Sequence, residues 1–414
     1  MRIVIVCDPS RVDGGAAKVA IASARGLANA GASVGYICTS GPPDAALDHP
    51  NIRVYCLNMT SVWDRKNPVS AAAQGIWNNA ALRQVEKILS GLPRENTLVH
   101  FHQWTKSFSP SVLEAPARLG LPSVISLHDY FLACPNGAYY NFPQAAPCTV
   151  TPLSGGCLTA RCDSRSNLHK AVRVTRQYAT QKALSRAGAS LSLLSVSAFA
   201  EHIMDAFLPK QHPRFVVRSP IEIEQQEPVR VTDNRQFVFV GRMTEEKGVR
   251  QLAAAARQTG LPVTFVGDGP LLENLKAQGD PIRCTGWLDP AGVDRVLRQA
   301  RALVFPSTWY ETGGLVVLEA LARGIPVLVS RKTAAAEFVE HGVNGFLIAP
   351  HDIAALQDRM RDLMDDATAE NMGRQAFDRY WANPQTETVH VENLLRVYQA
   401  ILSQHRAGLP ASAA

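Results

Sequence analysis

The sequence predicts an α/β protein with two doubly wound domains, each built on a parallel sheet with helices on both faces. Short apolar runs rich in β-branched residues alternate with amphipathic helical patterns, and this alternation pauses in a polar stretch near residue 222 before it starts again. The length of the chain agrees with two domains, since 414 residues are more than one ordinary domain contains.

The first half opens with a strand, a glycine loop and a helix. Residues 3–7 form a continuous apolar run, as a strand buried on both faces requires, and Gly14-Gly15 precedes a helical pattern at 17–30. The later elements expected in this half are strands at 33–38, 53–57, 97–102, 123–128, 191–196 and 215–217 and helices at 80–89 and 167–186. Residues 129–165 break this pattern, and we expect a long irregular excursion, which is usually functional or disordered.

The second half repeats the pattern after a polar linker at 222–234. Its expected strands are 237–240, 263–266, 282–285, 302–305 and 326–329, and its expected helices are 246–259, 270–277, 290–300, 314–323, 354–364, 369–381 and 387–403. We therefore assign residues 1–222 to the first domain and 223–385 to the second. Residues 386–414 are expected to hold a last helix and then a flexible tail.

Composition narrows the class of protein. Hydrophobic residues make up 46% of the chain and charged residues 19%, which is typical of a soluble globular protein. No apolar run reaches the ~18–20 residues that span a bilayer, and Asp8 ends the first run too early for a signal peptide, so a cytoplasmic location is expected. The net charge of +6 suits polyanionic ligands in general, such as nucleotide diphosphates or a membrane surface.

Arg242 and Lys247 are the first candidates for chemistry. Gly241-Arg242 follows the strand at 237–240, at the carboxyl end where open α/β sheets bind ligands, and Lys247 comes five residues later. A guanidinium and an ammonium brought together at a strand end can clamp a diphosphate leaving group. The alternative is that both are solvated side chains of an exposed loop.

The segment Glu-Thr-Gly-Gly-Leu-Val-Val-Leu-Glu at 311–319 is a stronger candidate. It follows the strand at 302–305 and opens a helix. Gly313-Gly314 and the backbone of Leu315 and Val316 can therefore bring N–H groups at a helix N-terminus close to a phosphate.

Both ends of this segment are glutamates. Glu311 stands at the tip of the loop, where it can accept hydrogen bonds from sugar hydroxyls, and Glu319, about two turns later, can hold a ribose diol. The alternative is that Glu311 is an acid that favours the helix start and Glu319 is ordinary surface. The glycine pair between them argues against that alternative.

The order of these motifs resembles family-4 glycosyltransferases. The resemblance covers the whole second half and is carried by Gly241-Arg242…Lys247-Gly248, Val266-Gly267-Asp268-Gly269-Pro270, Pro306-Ser307…Glu311-x7-Glu319-Ala320, Gly324-x-Pro326-Val327 and Gly342-x-Asn344-Gly345-Phe346. The first half fits more loosely, through Gly14-Gly15, Leu127-His128-Asp129 and Ser195-Val196-Ser197.

The resemblance implies the GT-B fold, two Rossmann-like doubly wound domains facing a central cleft. It also implies a retaining transfer of sugar from a nucleotide-diphosphate donor bound mainly by the second domain. There Arg242 and Lys247 would stabilise the departing diphosphate, Glu311 would bind the donor sugar and Glu319 the ribose, with Gly241 in the same donor site.

In the first domain, the acceptor side of this fold, the resemblance assigns two further positions. The Gly14-Gly15 amides would complete the diphosphate site, and His128 would project toward the reacting sugar. A histidine that only caps its loop is the alternative for His128. The last helix would cross back to the first domain, unless it packs on the second.

The resemblance implies that catalysis needs no metal or other cofactor, and the chain contains no Asp-x-Asp. The leaving phosphate oxygen would take the acceptor's proton, so charge stabilisation and positioning would do most of the work. The acceptor implied is a glycan or lipid-linked saccharide in lipopolysaccharide, other cell-envelope or exopolysaccharide synthesis, and no nucleic acid is expected.

Four of the eight cysteines, Cys134, Cys148, Cys157 and Cys162, lie within the irregular excursion. Thiolates so placed can bind a structural zinc ion or an iron–sulfur cluster. No Cys-x2-Cys pair is present, so packed free thiols are an equal alternative, and disulfides are a third.

Behind the cysteines, a predicted helix carries Arg165, His169, Arg173 and Arg176 at steps of three or four residues, with Lys170 beside them. This face is interpreted either as solvated surface or as a contact with anionic lipid headgroups or a lipid-linked acceptor, which would make the protein peripheral on the cytoplasmic face of the inner membrane.

Two rival functions stay open from the sequence. A nucleotide-sugar epimerase of the same fold would also clamp a diphosphate, and a catalytically silent nucleotide-sugar-binding protein would keep the fold. A Rossmann oxidoreductase fits less well, because Gly14-Gly15 lacks the rest of the dinucleotide fingerprint.

Overall fold

The computed structural model describes residues 1–408, which form two compact units. Among these residues, the first unit contains 1–138, 149–220 and 387–408, and the second contains 139–148 and 221–386. Each unit has its own parallel sheet, so the prediction of two doubly wound α/β domains is confirmed.

Fifteen strands lie within the described residues. In chain order they are β1 Arg2–Cys7, β2 Ser33–Cys38, β3 Ile52–Cys56, β4 Thr97–Gln103, β5 Ser123–Leu127, β6 Tyr140–Asn141, β7 Ala146–Pro147, β8 Leu191–Ser195, β9 Arg214–Val216, β10 Gln236–Val240, β11 Val263–Val266, β12 Ile282–Gly286, β13 Ala300–Phe305, β14 Val327–Ser330 and β15 Gly345–Ile348.

Fourteen α-helices accompany them in the same part of the chain. They are α1 Gly15–Asn29, α2 Pro68–Ile76, α3 Asn79–Ser90, α4 Glu114–Arg118, α5 Gly155–Thr159, α6 Asn167–Ala187, α7 Ala198–Met204, α8 Val249–Thr259, α9 Leu272–Lys276, α10 Pro290–Leu297, α11 Leu315–Leu321, α12 Ile353–Asp362, α13 Asp366–Ala382 and α14 Glu387–Gly408.

The sheet of the first unit has the order β3-β2-β1-β4-β5-β8-β9, and all its strands run parallel. β1 lies near its centre, where Ile3, Val4, Ile5 and Val6 have no exposed surface. The strand order reverses between β1 and β4. A sheet of this kind opens a crevice at the carboxyl ends of the two strands where the order reverses.

The sheet of the second unit has the order β12-β11-β10-β13-β14-β15 and is also parallel throughout. Here the order reverses between β10 and β13, which makes the loops after these two strands neighbours. β15 was not predicted, because it begins with glycine, a residue that is depleted in strands. It pairs with β14 and completes the sheet edge.

Helix α2 was also missed, although its sequence carries a start signal. Asn67 caps it by accepting hydrogen bonds from the amides of Val69 and Ser70, and Pro68 occupies its first position. Most of the helix is only half-buried, so its apolar residues follow no sharp stripe.

The excursion at 129–165 requires a correction to the predicted domain bounds. Residues 139–148 belong to the second unit and not, as predicted, to the first. They form a hairpin in which β6 pairs with β7 in antiparallel orientation. No sequence period predicts such a short hairpin, because only two residues of each strand pair.

Helix α14 packs in the first unit against α1. Val391, Leu394 and Tyr398 join one core cluster with α1 residues such as Leu27. The two helices approach closely: a Cβ at Gly26 would lie 2.5 Å from Cγ2 of Val391. α14 also contacts the sheet, where the hydroxyl of the fully buried Tyr398 lies 2.7 Å from Nδ1 of His100 on β4.

The last helix extends to Gly408, beyond its predicted end at 403. The rest of the predicted flexible tail lies outside the described residues. Over residues 1–408, no helix is both long and apolar enough to cross a membrane.

Removing the Tyr398 hydroxyl should weaken the α14 contact. Tyr398→Phe keeps the buried ring but leaves Nδ1 of His100 without this partner, and we expect a loss of about 1–3 kcal/mol in the free energy of unfolding. Denaturant unfolding of the first unit measures it. Tyr178→Phe, on α6 with 52% of the residue exposed, is the matched control and should change little. Equal stability of both variants would contradict a stabilising role for this hydrogen bond.

Candidate functional site

The densest group of predicted site residues lies in the second unit, where the loops after β10 and β13 meet. Gly248 shows how closely they approach. Its φ is +72°, and a Cβ there would lie 2.1 Å from the carbonyl oxygen of Pro306. Only glycine tolerates both conditions, so this residue lets the Glu245–Lys247 turn pack directly on the loop after β13.

Lys247 and Glu311 form an ion pair at this junction. Oε2 of Glu311 also accepts hydrogen bonds from Oγ of Ser307 at 2.8 Å and from Nε1 of Trp309 at 3.2 Å. The two charged side chains are only 13% and 14% exposed. Each charge is therefore held in place by its partners in a partly desolvated setting, where electrostatic interactions are stronger than in water.

Arg242 is held much less tightly. Its side chain is 70% exposed, and its Nη2 lies 3.8 Å from Oε1 of Glu246. The two predicted cations are therefore held to different degrees. Lys247 is fixed by its ion pair, whereas the exposed side chain of Arg242 is free to rotate toward an anion.

The glycine pair precedes α11, as predicted. Gly314 has a φ of +140°, and a Cβ there would lie 2.7 Å from that of Ala335, so the close packing of this turn requires glycine. Gly313 borders open space. The amides of Leu315 and Val316 are the first of the helix and have no intrahelical acceptor, which leaves them able to bind an anion.

Two other predicted donor residues have different settings. The amide of Gly241 donates to the carbonyl of Val266 at 2.9 Å, so it joins the loop after β10 to the end of β11 and is not available to a ligand. Glu319 lies on α11, partly exposed.

In the first unit, Gly14-Gly15 follows β1 and begins α1. Both glycines are exposed, and a Cβ on either would meet nothing within 4 Å. Next to them, Asp13 forms an ion pair with Lys106, which follows β4. This pair ties the glycine loop to the neighbouring strand end.

His128 directly follows β5 and contacts a second histidine. Its Nε2 lies 2.9 Å from Nδ1 of His102, and the two rings stack with centroids 5.1 Å apart. Burial lowers the pKa of His128 to about 3 and that of His102 well below its ordinary value, so both imidazoles are neutral at physiological pH. One ring must then donate to the other, so the tautomer of His128 is coupled to that of His102.

Several residues of these sites were not singled out from the sequence. Trp309 and Ser307 orient Glu311, and His102 orients His128. Ser307 directly follows Pro306 at the end of one predicted strand, and His102 is the last residue of another. Their position at strand ends was therefore the signal that could have identified them. Their hydrogen bonds could not be foreseen from one-dimensional spacing.

The structure does not assemble the predicted four-cysteine metal site. Cys148 belongs to the second unit and the other three to the first. The thiol of Cys134 donates to Oδ1 of Asn136, while Nδ2 of Asn136 contacts Sγ of Cys162 at 3.6 Å. Across residues 1–408, no three His, Cys, Asp or Glu side chains are grouped so as to hold a metal ion.

The cations of α6 were predicted to form either a solvated surface or a lipid contact, and the structure shows neither for most of them. Arg165 and His169, near the start of the helix, are exposed. Lys170 is 5% exposed and donates to the carbonyls of Cys157 and Ala160.

Two further cations of this face also have partners within the first unit. Arg173 pairs with Asp163 at 3.0 Å, and the buried Arg176 lies over the ring of Phe131 at 4.4 Å. These three cations point inward and organise the excursion, so they provide no lipid-binding face.

Two family models match the chain. The family described as "Glycosyl transferases group 1" matches residues 220–379, and the "Glycosyl transferase 4-like domain" matches residues 14–149. The chain is 29% identical over 315 residues to the glycogen synthase of Mycobacterium tuberculosis, which covers 69% of this chain and 73% of that protein. It is 34% identical over 154 residues to the D-rhamnosyltransferase WbpZ of Pseudomonas aeruginosa, covering 35% and 40% of the two chains.

Two solved structures have a similar fold, and each superposes over nearly the whole of this chain and of its own. Sucrose-phosphate synthase from Thermosynechococcus elongatus superposes with a TM-score of 0.71 at 18% identity, covering 97% of this chain and 99% of its own. HepE of Anabaena, solved in complex with UDP-glucose, superposes with a TM-score of 0.65 at 16% identity, covering 97% and 100%.

The buried histidines of the first unit should make it sensitive to acid. Burial lowers the pKa values of His100, His102, His128, His212 and His390, so the unfolded state binds these protons more readily than the folded state. The folded state is therefore destabilised as the pH falls below about 6.5. Burial raises the pKa values of Asp8 and Asp129 to about 6, which acts in the opposite direction. Five imidazoles against two carboxyls predict a net loss of stability between about pH 6.5 and pH 4.

Hydrogen exchange of the β4 and β5 amides between pH 4.5 and pH 7, corrected for intrinsic rates, measures this loss. His390→Gln removes one of the titrating groups and should reduce the slope of stability against pH by about one proton. His351→Gln, an exposed histidine of the second unit, is the control. Protection that does not change across this range would contradict the prediction.

Proposed function

The chain belongs to the glycosyl transferases of group 1, and on that premise we propose that it moves a sugar from a nucleotide-diphosphate donor to an acceptor with retention of the anomeric configuration. Its fold is GT-B, as predicted, with two Rossmann-like parallel-sheet domains. The observation that carries the proposal is the Lys247–Glu311 ion pair beside Arg242, where the strand order of the second sheet reverses.

In this proposal Lys247 and Arg242 bind the diphosphate of the donor. Lys247 is already fixed by Glu311, so little side-chain entropy is lost when it meets a phosphate oxygen. The exposed Arg242 can complete the contact with a bidentate guanidinium. As the bond to the sugar breaks, negative charge grows on the diphosphate, and prearranged cations stabilise it more in the transition state than in the ground state.

Glu311 is assigned to the donor sugar. An ionised carboxylate offers about four acceptor positions. Lys247 occupies one on Oε1, and Ser307 and Trp309 occupy two on Oε2. The remaining position on Oε1 is available to one sugar hydroxyl, and the three existing contacts fix its direction.

The rest of the donor is assigned to α11 and the first unit. The free amides of Leu315 and Val316 would bind phosphate, Glu319 the ribose, and the exposed Gly14-Gly15 amides a further phosphate oxygen. His128 is neutral, so it would contribute a hydrogen bond to the reacting sugar and not a charge. Gly241 would serve the donor site through its lack of a side chain and not through its amide, which is bonded to Val266.

Retention is proposed to follow from transfer on one face of the sugar. The departing phosphate oxygen accepts the proton of the acceptor hydroxyl while that hydroxyl attacks the same face. This route needs no strong protein base, which agrees with the neutral His128. Positioning and charge stabilisation then account for the catalysis.

The acceptor is proposed to be a glycan or a lipid-linked saccharide of the cell envelope or an exopolysaccharide. Support comes from the names of relatives, which include a D-rhamnosyltransferase and an O-antigen chain mannosyltransferase. Membrane contact through α6 is not proposed, since its inner cations are engaged within the first unit.

A donor panel tests the function directly. Incubation with UDP-, GDP-, ADP- and dTDP-sugars should release a nucleoside diphosphate with at least one of them. Arg242→Ala and Lys247→Ala should each reduce transfer at least ~100-fold, the usual scale for one charge-stabilising group. Arg250→Ala, an exposed cation on α8 paired with Glu245, is the matched control. Transfer within a few-fold of wild type in the Arg242→Ala/Lys247→Ala double variant would refute the assignment.

Chelation tests the role given to these two cations in a second way. If Arg242 and Lys247 take the charge of the leaving diphosphate, excess EDTA should leave turnover within about twofold of the untreated enzyme. Loss of activity in EDTA that Mg²⁺ or Mn²⁺ restores would show that a divalent ion shares this role.

A further inference from the structure

Residues 139–148, called the arm below, are the part of the excursion that belongs to the second unit. The chain on both sides of the arm belongs to the first unit, so the arm leaves one unit and returns to it. β6 pairs with β7 with Tyr140 opposite Pro147, and the Cys148 amide closes the hairpin by bonding to the Tyr139 carbonyl at 2.7 Å. None of the functional roles described above uses this hairpin.

Tyr140 is the anchor of the arm. It has no exposed surface, its ring packs edge-on against Phe142 with centroids 5.3 Å apart, and its hydroxyl lies 3.1 Å from Oγ1 of Thr308. Thr308 is itself fully buried, in the loop after β13. A tyrosine buried to this degree directs its one hydroxyl to a specific partner, because an unpaired buried hydroxyl costs free energy.

The direction of these hydrogen bonds follows from the acceptors. Thr308 bonds to the backbone carbonyl of Glu246 twice, through its amide at 2.8 Å and through Oγ1 at 3.2 Å. A carbonyl can only accept, so the Thr308 hydroxyl donates its proton there and the Tyr140 hydroxyl donates to Oγ1 of Thr308. The result is a directed chain from Tyr140 through Thr308 to Glu246.

Glu246 lies between the two cations assigned to the diphosphate. Its carboxylate faces Arg242, and the next residue is Lys247. The residues directly before and after Thr308 in the chain, Ser307 and Trp309, orient Glu311. Thr308 therefore joins the two loops that carry the proposed donor site, and Tyr140 is its partner from outside both loops.

We propose that Tyr140 is a positioning residue of the donor site, which holds the Arg242/Lys247 turn and the Glu311 loop in register through Thr308. The proposal rests on the function proposed above and adds an element that the family motifs of the second half do not contain. It also assigns a role to the arm, because a segment whose chain neighbours lie in the first unit supports the donor loops of the second.

Tyr140→Phe tests the proposal, because it keeps the ring and removes only the donated hydrogen bond. UDP, GDP and ADP are first titrated calorimetrically against the wild type, and the one that binds serves as the probe. With Tyr140→Phe its Kd and the KM for the matching nucleotide sugar should rise about 3- to 10-fold at a temperature where the protein is fully folded. Gln144→Ala, at the exposed tip of the same hairpin, is the control and should bind as the wild type does.

A double-variant cycle separates positioning from simple stabilisation. Thr308→Ser retains the hydroxyl and should bind the probe nearly as the wild type does, whereas Thr308→Val should weaken binding at least as much as Tyr140→Phe. Combining Tyr140→Phe with Thr308→Val should add little to Thr308→Val alone, because both act on one chain of hydrogen bonds. Additive effects, or a Tyr140→Phe variant with a lower Tm but unchanged Kd, KM and kcat, would overturn the proposal.

The same experiment distinguishes this proposal from the proposed function. If the wild type binds no nucleoside diphosphate and transfers no sugar, both fail together. If the wild type binds and Lys247→Ala loses binding while Tyr140→Phe does not differ from the wild type, the donor site stands and the positioning role of Tyr140 is refuted.

Discussion

The parallel direction of the strands is the constraint on which the rest of this protein depends. In each unit every strand of the main sheet runs the same way, so the loops that follow the strands emerge at one edge. The strand order reverses between β1 and β4 in the first unit and between β10 and β13 in the second. Residues that are distant in the sequence, such as Lys247 and Glu311, meet at such an edge because the sheet brings their strands side by side.

The cations of the candidate donor site and those of α6 lie in different environments. At the site, Lys247 is partly buried against one carboxylate while Arg242 stays exposed, so one cation is fixed and the other can move toward a ligand. On α6, Lys170 and Arg176 are buried among backbone carbonyls and an aromatic ring. There the cations stabilise an irregular segment whose carbonyls lack a sheet or helix to pair with. Two basic clusters of similar composition therefore serve opposite purposes.

The excursion at 129–165 is ordered by such contacts and by its cysteines acting as packed thiols. Asn136 lies between Cys134 and Cys162, and Lys170 reaches the Cys162 sulfur at 3.2 Å. The hairpin at 139–148 departs from this arrangement and joins the second unit through Tyr140. The residues of one long loop are thus divided between the two units, which explains why its sequence shows no single period.

The sequence by itself determined the two doubly wound domains and the strand ends that carry Arg242, Glu311 and His128. These depend on local signals, namely apolar runs buried on both faces and glycines where loops must turn tightly. It did not determine that Gly241 bonds to Val266, that the α6 cations point inward, or that Tyr140 reaches Thr308. Those outcomes depend on partners between about 10 and 170 residues apart in the chain. A hydrogen bond over such a separation has no period and no fixed spacing, so only the folded structure decides which groups are brought together.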